Sequence, residues 1–360
     1  MIYLNNAATS FPKPSSVIHS MTVALESPPI SPLRSNISQQ GDMLTDLRRQ
    51  LGTLFNIRDH ERIFICSSAT DAINRILGGK EWTVVATSDN HNSVLRPLLN
   101  GHHPVRIISP SSVFDTLPNG SLLILNHCSN VTGKIIDVPS IVRQAHQQGC
   151  LVMLDASQSA GCIPIDIDRW GIDILVFTGH KSLFGPTGTG GYYVHRAINL
   201  RPTQFGGTGR DSSIIKYEND EWEYEVGTQN MVGLAGLKAG VEYVLGRGVG
   251  CIFHRLQSET NRLIHELRSI EKVILYSEGG KRQGPVISFN IEGLLPSDVG
   301  YILQNSYDMT VRTGLHCSPL THQQLGTWEH GTVRVSLSDF TTHEELETFI
   351  YAIREITGSL

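Results

Sequence analysis

The sequence predicts an α/β protein with a large unit built on a mainly parallel sheet between helices, followed by a smaller α+β unit. Three observations carry this expectation. From about residue 61 short apolar runs alternate with amphipathic segments, the pattern of strands buried beneath helices on both faces. Beyond about residue 270 the rhythm changes to a mixture of strands and helices. At 360 residues the chain is also longer than one ordinary core sustains.

Taken in order, "RIFICSS" reads as a strand and "TDAINRILGG" as the helix after it. "WTVVATS", "VRIIS" and "SLLILNHCS" read as further strands, "VPSIVRQAHQQG" as a helix, and "LVMLDAS", "DILVFTG" and "GGYYVH" as strands again. A helical stretch follows near 230 to 270. Then come "VILY", "PVISFNI", "SDVGYILQ", "MTVRTG" and "TVRVSL", closed by the helix "HEELETFIYAIREI". The expected division is 15–245 for the large unit, and 1–14 with 246–360 for the small one. The Pro/Ser-rich "ESPPISPLRSN" at 26–36 reads as a loop.

Composition narrows the function. With 40% hydrophobic and 18% charged residues the chain is an ordinary globular one, and a formal net charge of -5 supplies no basic field for nucleic acid or membrane. Neither partner is expected. No apolar run reaches membrane-spanning length, and the start "MIYLNNAATSFPKP" lacks a signal-peptide pattern, so the expected location is the cytoplasm. Cys66, Cys128, Cys150, Cys162, Cys251 and Cys317 have no metal-like spacing, and reduced thiols are expected with no metal site.

Ligands of open α/β sheets bind at the carboxyl ends of the strands. Ser67 to Thr70, His91, Asn130, Asp155 to Gln158 and Thr178 to Lys181 all fall at such ends. There is no phosphate-binding G-x-x-x-x-G-K-[ST], and in "GTGGYY" Tyr193 stands where a dinucleotide motif needs glycine. A lysine at one strand end, with an aspartate 26 positions earlier at another, instead suggests pyridoxal phosphate. That cofactor needs an amine to bond its aldehyde, a carboxylate to keep its pyridine nitrogen protonated, and a phosphate cradle. Lys181 is the candidate amine and Asp155 the candidate carboxylate. Ser68, Ala69 and Thr70 open a helix whose free amides and dipole suit a phosphate. Taken singly each has a plainer reading, since a loop lysine is as a rule solvated and an aspartate opening a helix is as a rule a cap. Their placement on successive strand ends of one sheet favours the cofactor.

The chain resembles the pyridoxal-phosphate enzymes of the class V aminotransferase fold, and within them the cysteine desulfurases and selenocysteine lyases. "YLNNAATSFPKP", "SSATDAIN", "NHNSVLRP", "NHCSNVTGKI", "LDASQSAG", "FTGHKSLFGPTGTGG", "YEVGTQN", "RTGLHCSPL" and "GTVRVSLSDFTTHEEL" match in the family's order across nearly the whole chain. The resemblance implies fold type I, with a seven-stranded sheet. It makes Lys181 the cofactor lysine, Asp155 the pyridinium partner, Gln158 a ligand of the ring hydroxyl and His91 the histidine stacked on the ring. Ala69, Thr70, Thr178 and His180 become phosphate ligands, with Thr228 reaching the phosphate from the other subunit of a homodimer. Asn130 contacts cofactor or substrate. Arg334 grips the substrate carboxylate, and Arg312 is a second arginine near the site.

Cys317 decides which reaction is expected. A free cysteine is commonly a small buried hydrophobe, but "RTGLHCSPL" carries loop signals, with His316 and Arg312 beside the thiol to favour thiolate. The resemblance makes it the nucleophile that takes sulfur from L-cysteine, leaving L-alanine and a persulfide for an acceptor protein. Its short segment is similar to the compact loop of the second desulfurase group. Asn5, Ser68 and Asn90 replace an aspartate, a glycine and a glutamate common in the family. The alternatives are a selenocysteine lyase on the same residues, another class V aminotransferase, epimerase or β-lyase in which Cys317 has no redox role, and an idle scaffold homologue.

Overall fold

A computed structural model describes residues 1–28, 43–207, 213, 215–216 and 224–360. Most of the expected 26–36 loop therefore lies outside the described residues. The N-terminal chain forms β1 (Ile2–Tyr3), α1 (Ser15–Glu26) and α2 (Met43–Phe55). Next come β2 (Ile63–Cys66), α3 (Ala69–Gly78), β3 (Val84–Thr87), α4 (Asn92–Asn100), β4 (Val105–Ile108) and β5 (Leu122–Asn126). Then follow α5 (Val138–Gln147), β6 (Leu151–Asp155), α6 (Ile167–Trp170), β7 (Ile174–Thr178) and β8 (Gly190–Val194).

These strands make a seven-stranded sheet in the order β2-β8-β7-β6-β5-β3-β4, parallel except where β8 meets β2 and β7. The apolar runs are continuous because both faces are covered. Alternate side chains point to opposite sides: Leu123, Leu125, Val152, Leu154, Leu175 and Phe177 enter one core with α2, α5 and α7 (Met231–Arg247). Leu122, Ile124, Met153, Ile174 and Val176 enter a second core with α3 and α4. The expected mainly parallel sheet between helices, of seven strands, is the one observed. Register sets Asn126 beside Asp155, so the carboxyl ends of the central strands form one level edge.

The remainder comprises α8 (Val249–Arg268), β9 (Val273–Leu275), β10 (Val286–Ile291), α9 (Pro296–Tyr307), β11 (Met309–Thr310), β12 (Arg312–Gly314), α10 (Pro319–Leu325), β13 (Thr332–Ser336) and α11 (His343–Gly358). An antiparallel sheet runs β12-β13-β10-β9, while β1 lies parallel to β11. The helix α11 begins with a reciprocal cap between Thr342 and Glu345. The N-terminal segment then crosses between the two sheets, since the amides of Ala7 and Ser10 donate to Ser336 Oγ at 2.8 Å and to His180 O at 3.0 Å. Among the described residues no helix is long and apolar enough to cross a membrane.

Candidate active site

A cavity of about 220 Å³ opens where the level edge of the seven-stranded sheet faces β12 and β13. Ala69, Thr70, His91, Asn130, Asp155, Gln158, Thr178, His180, Lys181, Arg312 and Arg334 all line it. Two expected residues do not. Cys317 stands just behind Arg312, whose Nη2 reaches its Sγ at 3.3 Å. Thr228 is exposed and lines a separate surface hollow that shares Ser68 and Thr70 with the cavity.

Lys181 follows the buried strand β7, which delivers its amine to the cavity. Enclosure lowers its pKa from 10.5 to about 8, with Asp155 opposing the shift and the cations of Arg334 and Arg312 assisting it. A substantial neutral fraction is thereby present near neutral pH. Asp155, at the end of β6, is buried and accepts the Ser157 amide at 2.9 Å. Gln158 has its amide nitrogen on Ala7 O at 3.0 Å. His91 caps α4: its Nδ1 accepts the Ser93 amide at 3.0 Å, so in the neutral ring the proton sits on Nε2. Burial, then the Lys181 charge, holds His91 down at about 4.

Phosphate-sized demand is visible on the opposite side. Thr178 Oγ1, His180 Nδ1 and Ser157 Oγ are buried without a hydrogen-bond partner, a costly state unless a ligand supplies one. They stand with the first turn of α3, where Ser68 is the N-cap and its Oγ accepts from the Asp71 amide at 3.1 Å. Burial, then the charges of Lys181 and Lys13, lowers His180 to about 4.

Arg334, in the middle of β13, is only 1% exposed. Its Nη1 donates to Asn130 O at 3.0 Å and its Nη2 to Asn5 Oδ1 at 3.3 Å, both uncharged acceptors, while Nε has no partner. Burial, followed by repulsion from Arg312, pulls its pKa to about 9. A buried guanidinium satisfied by neutral oxygens is a seat for an anion.

One expectation needs correction. His316 was expected to favour the Cys317 thiolate, but burial, then Arg334, pushes its pKa down to about 2, and its Nε2 lies 2.9 Å from Thr332 Oγ1. It is neutral and contributes no positive charge, so the cation at the sulfur is Arg312 alone of that pair.

Sequence reasoning also missed wall residues. Ala7, Ala8, Ser93, Asn126 and Ser157 line the cavity. Ser157 was findable, lying between Asp155 and Gln158, and Asn126 ends the strand beside Asp155. Lys13, outside the lining, was not: it donates to His180 O at 3.0 Å from 167 positions away. Among the described residues no cluster suited to a metal occurs.

The model of the class-V aminotransferase family matches residues 2–349. The chain belongs to that family. A probable cysteine desulfurase of Methanothermobacter thermautotrophicus is 30% identical over 99% of this chain and 95% of its own. One from Xylella fastidiosa is 32% identical over 86% and 79%. The apo cysteine desulfurase of Thermococcus onnurineus NA1 superposes with a TM-score of 0.87 at 27% identity, covering 100% of this chain and 95% of that one. The family's cofactor is pyridoxal phosphate, and the orphaned donors, the buried carboxylate and the low-pKa lysine of this cavity fit it.

Proposed function

We propose that the chain is a pyridoxal-phosphate-dependent cysteine desulfurase that converts L-cysteine to L-alanine and stores the sulfur on Cys317. The observation that carries the reading is Arg312 Nη2 at 3.3 Å from Cys317 Sγ, with Arg312 itself lining the cavity that also holds Lys181. The relatives' names support the same reaction. When bound, the cofactor supplies an aldehyde for the substrate amine and a sink for the electron pair left at Cα.

The residues divide the remaining work. Arg334, with its unpaired Nε, binds the substrate carboxylate and fixes which Cα bond faces Lys181. Lys181, as a neutral amine, takes the Cα proton and returns it later. Asp155 keeps the proton on the pyridine nitrogen. His91, with its proton on Nε2, would cover the cofactor ring, and Gln158 would meet the ring hydroxyl. Ala69, Thr70, Thr178 and His180 hold the phosphate. The Cys317 thiolate attacks the substrate sulfur, the Cβ–S pair leaves with Cβ and is protonated, and the products are alanine and a Cys317 persulfide.

The reading extends to the assembly. The hollow beside Ser68 and Thr70, with Thr228 exposed on it, suits a homodimer in which each subunit's Thr228 serves its partner's phosphate. A separate acceptor protein would then collect the persulfide sulfur. We place the protein in the cytoplasm, where its six free thiols stay reduced. Residues 15–245 form the cofactor-binding unit, and 1–14 with 246–360 the unit carrying Cys317 and Arg334.

The test is release of alanine and sulfide from L-cysteine under reductant by the protein and by Cys317→Ala, with L-selenocysteine in parallel. Alanine from cysteine, lost in the variant while the visible cofactor band stays, supports the reading. Alanine from selenocysteine alone would replace it with a selenocysteine lyase.

A further inference from the structure

Cys317 sits in a backbone conformation that side chains avoid. His316 and Cys317 have φ of 49° and 61°, two successive non-glycine residues in the left-handed region, which persists only where the surroundings over-determine it. The residue that does so lies in a different part of the chain. Asn130 Nδ2 donates to His316 O at 2.6 Å, and Asn130 Oδ1 accepts from Ser318 Oγ at 2.7 Å. The two ends of one planar carboxamide thus grip the residues on either side of the thiol. Asn130 and Ser318 are both buried, so water does not compete for these bonds.

The grip continues outward in both directions. The Cys317 carbonyl accepts the amide of Asn92, the residue after His91, at 2.8 Å, and the Ser318 amide donates to Leu315 O at 2.9 Å. The backbone oxygen of Asn130 meanwhile accepts Nη1 of Arg334. One residue therefore touches both the arginine seat and the strained turn that carries the sulfur.

We propose that Asn130 is the positioning residue of Cys317: its carboxamide clamps the 316–318 turn and holds Sγ against Arg312. The clamp rests on the reading of Cys317 as sulfur acceptor. It explains the residue type, since an aspartate lacks the donor and a serine lacks the second arm. It also assigns the side chain a task other than the cofactor or substrate contact expected from the resemblance.

Amide hydrogen exchange on the cofactor-loaded protein tests this, because it reads the turn itself. Asn130→Ala and Ser318→Ala should each speed exchange at Asn92 and Ser318 by about tenfold. Gly179, whose amide donates to Thr189 O at 2.9 Å in the Lys181 loop, should keep its rate. The double variant should exchange no faster than Asn130→Ala, and cysteine turnover should fall through kcat rather than KM. Unchanged exchange at Asn92 and Ser318 in both variants overturns the clamp, as does an Asn130→Ala that raises only KM. Failure of the desulfurase reading would appear elsewhere, as no alanine from cysteine with the unsubstituted protein.

Discussion

Lys181 lines the cavity and Cys317 lies beside it against Arg312, and the two are held by different means. The Lys181 loop is fixed by backbone bonds of its own, reinforced by side chains of the N-terminal segment. It leaves the centre of the seven-stranded sheet, its Gly179 and Phe184 amides bond to Thr189 O and Lys181 O, and His180 O collects donors from Thr9, Ser10 and Lys13. Packing there is so close that a Cβ on Gly179 would lie 2.2 Å from Thr189 Oγ1. The Cys317 turn, between β12 and α10, adds to its backbone bonds with Asn92 and Leu315 a set of side-chain bonds from Asn130, Ser318 and Arg312. Backbone ladders secure a group that stays put through every cycle. Side-chain bonds secure the thiol proposed to carry sulfur, and they can be remade without unfolding a strand.

The comparison breaks first at the lysine. Lys181→Ala should lower cysteine turnover on the order of a thousandfold or more and erase the visible cofactor band; a retained band would remove Lys181 from its role. Arg334→Lys comes next. Losing the fork should raise KM for cysteine by roughly ten- to a hundredfold with a smaller change in kcat, and a fall in kcat at constant KM would assign Arg334 elsewhere.

A pH experiment sharpens the contrast with the smallest effect. Only a neutral amine bonds the aldehyde, so cofactor loading by the apoprotein should accelerate about tenfold per pH unit up to about 8 and then level off. An ordinary lysine would keep accelerating toward 10.5. The sign for stability follows. Because the folded-state pKa is the lower one, the unfolded chain binds more protons between about 8 and 10.5, and this lysine's penalty on folding is lifted as pH rises through that window.

Much of the fold was readable because its signals are local. Strands such as Leu122–Asn126 and Ile174–Thr178 are buried on both faces, which turns them into unbroken apolar runs. The polar residues that end them then fall on one edge by topology alone. What stayed hidden depends on distance along the chain. Asn130 meets its partners 186 and 188 positions away, and no periodicity encodes that. The neutrality of His316 was equally out of reach, since it follows from burial by elements that the tripeptide around it does not specify.

The path of the N-terminal segment has a consequence for how the protein is made. Tyr3 pairs with Thr310 and Ala7 with Ser336, so this segment waits for a partner made 329 positions after it. The same segment braces His180, and through Asn5 it touches Arg334. Such long-range closure is slow and comes late. The nascent chain thus completes this side of the site only once β13 has been made, and a message truncated before β13 yields a protein lacking Arg334 and the Ser336 anchor of its N-terminal segment.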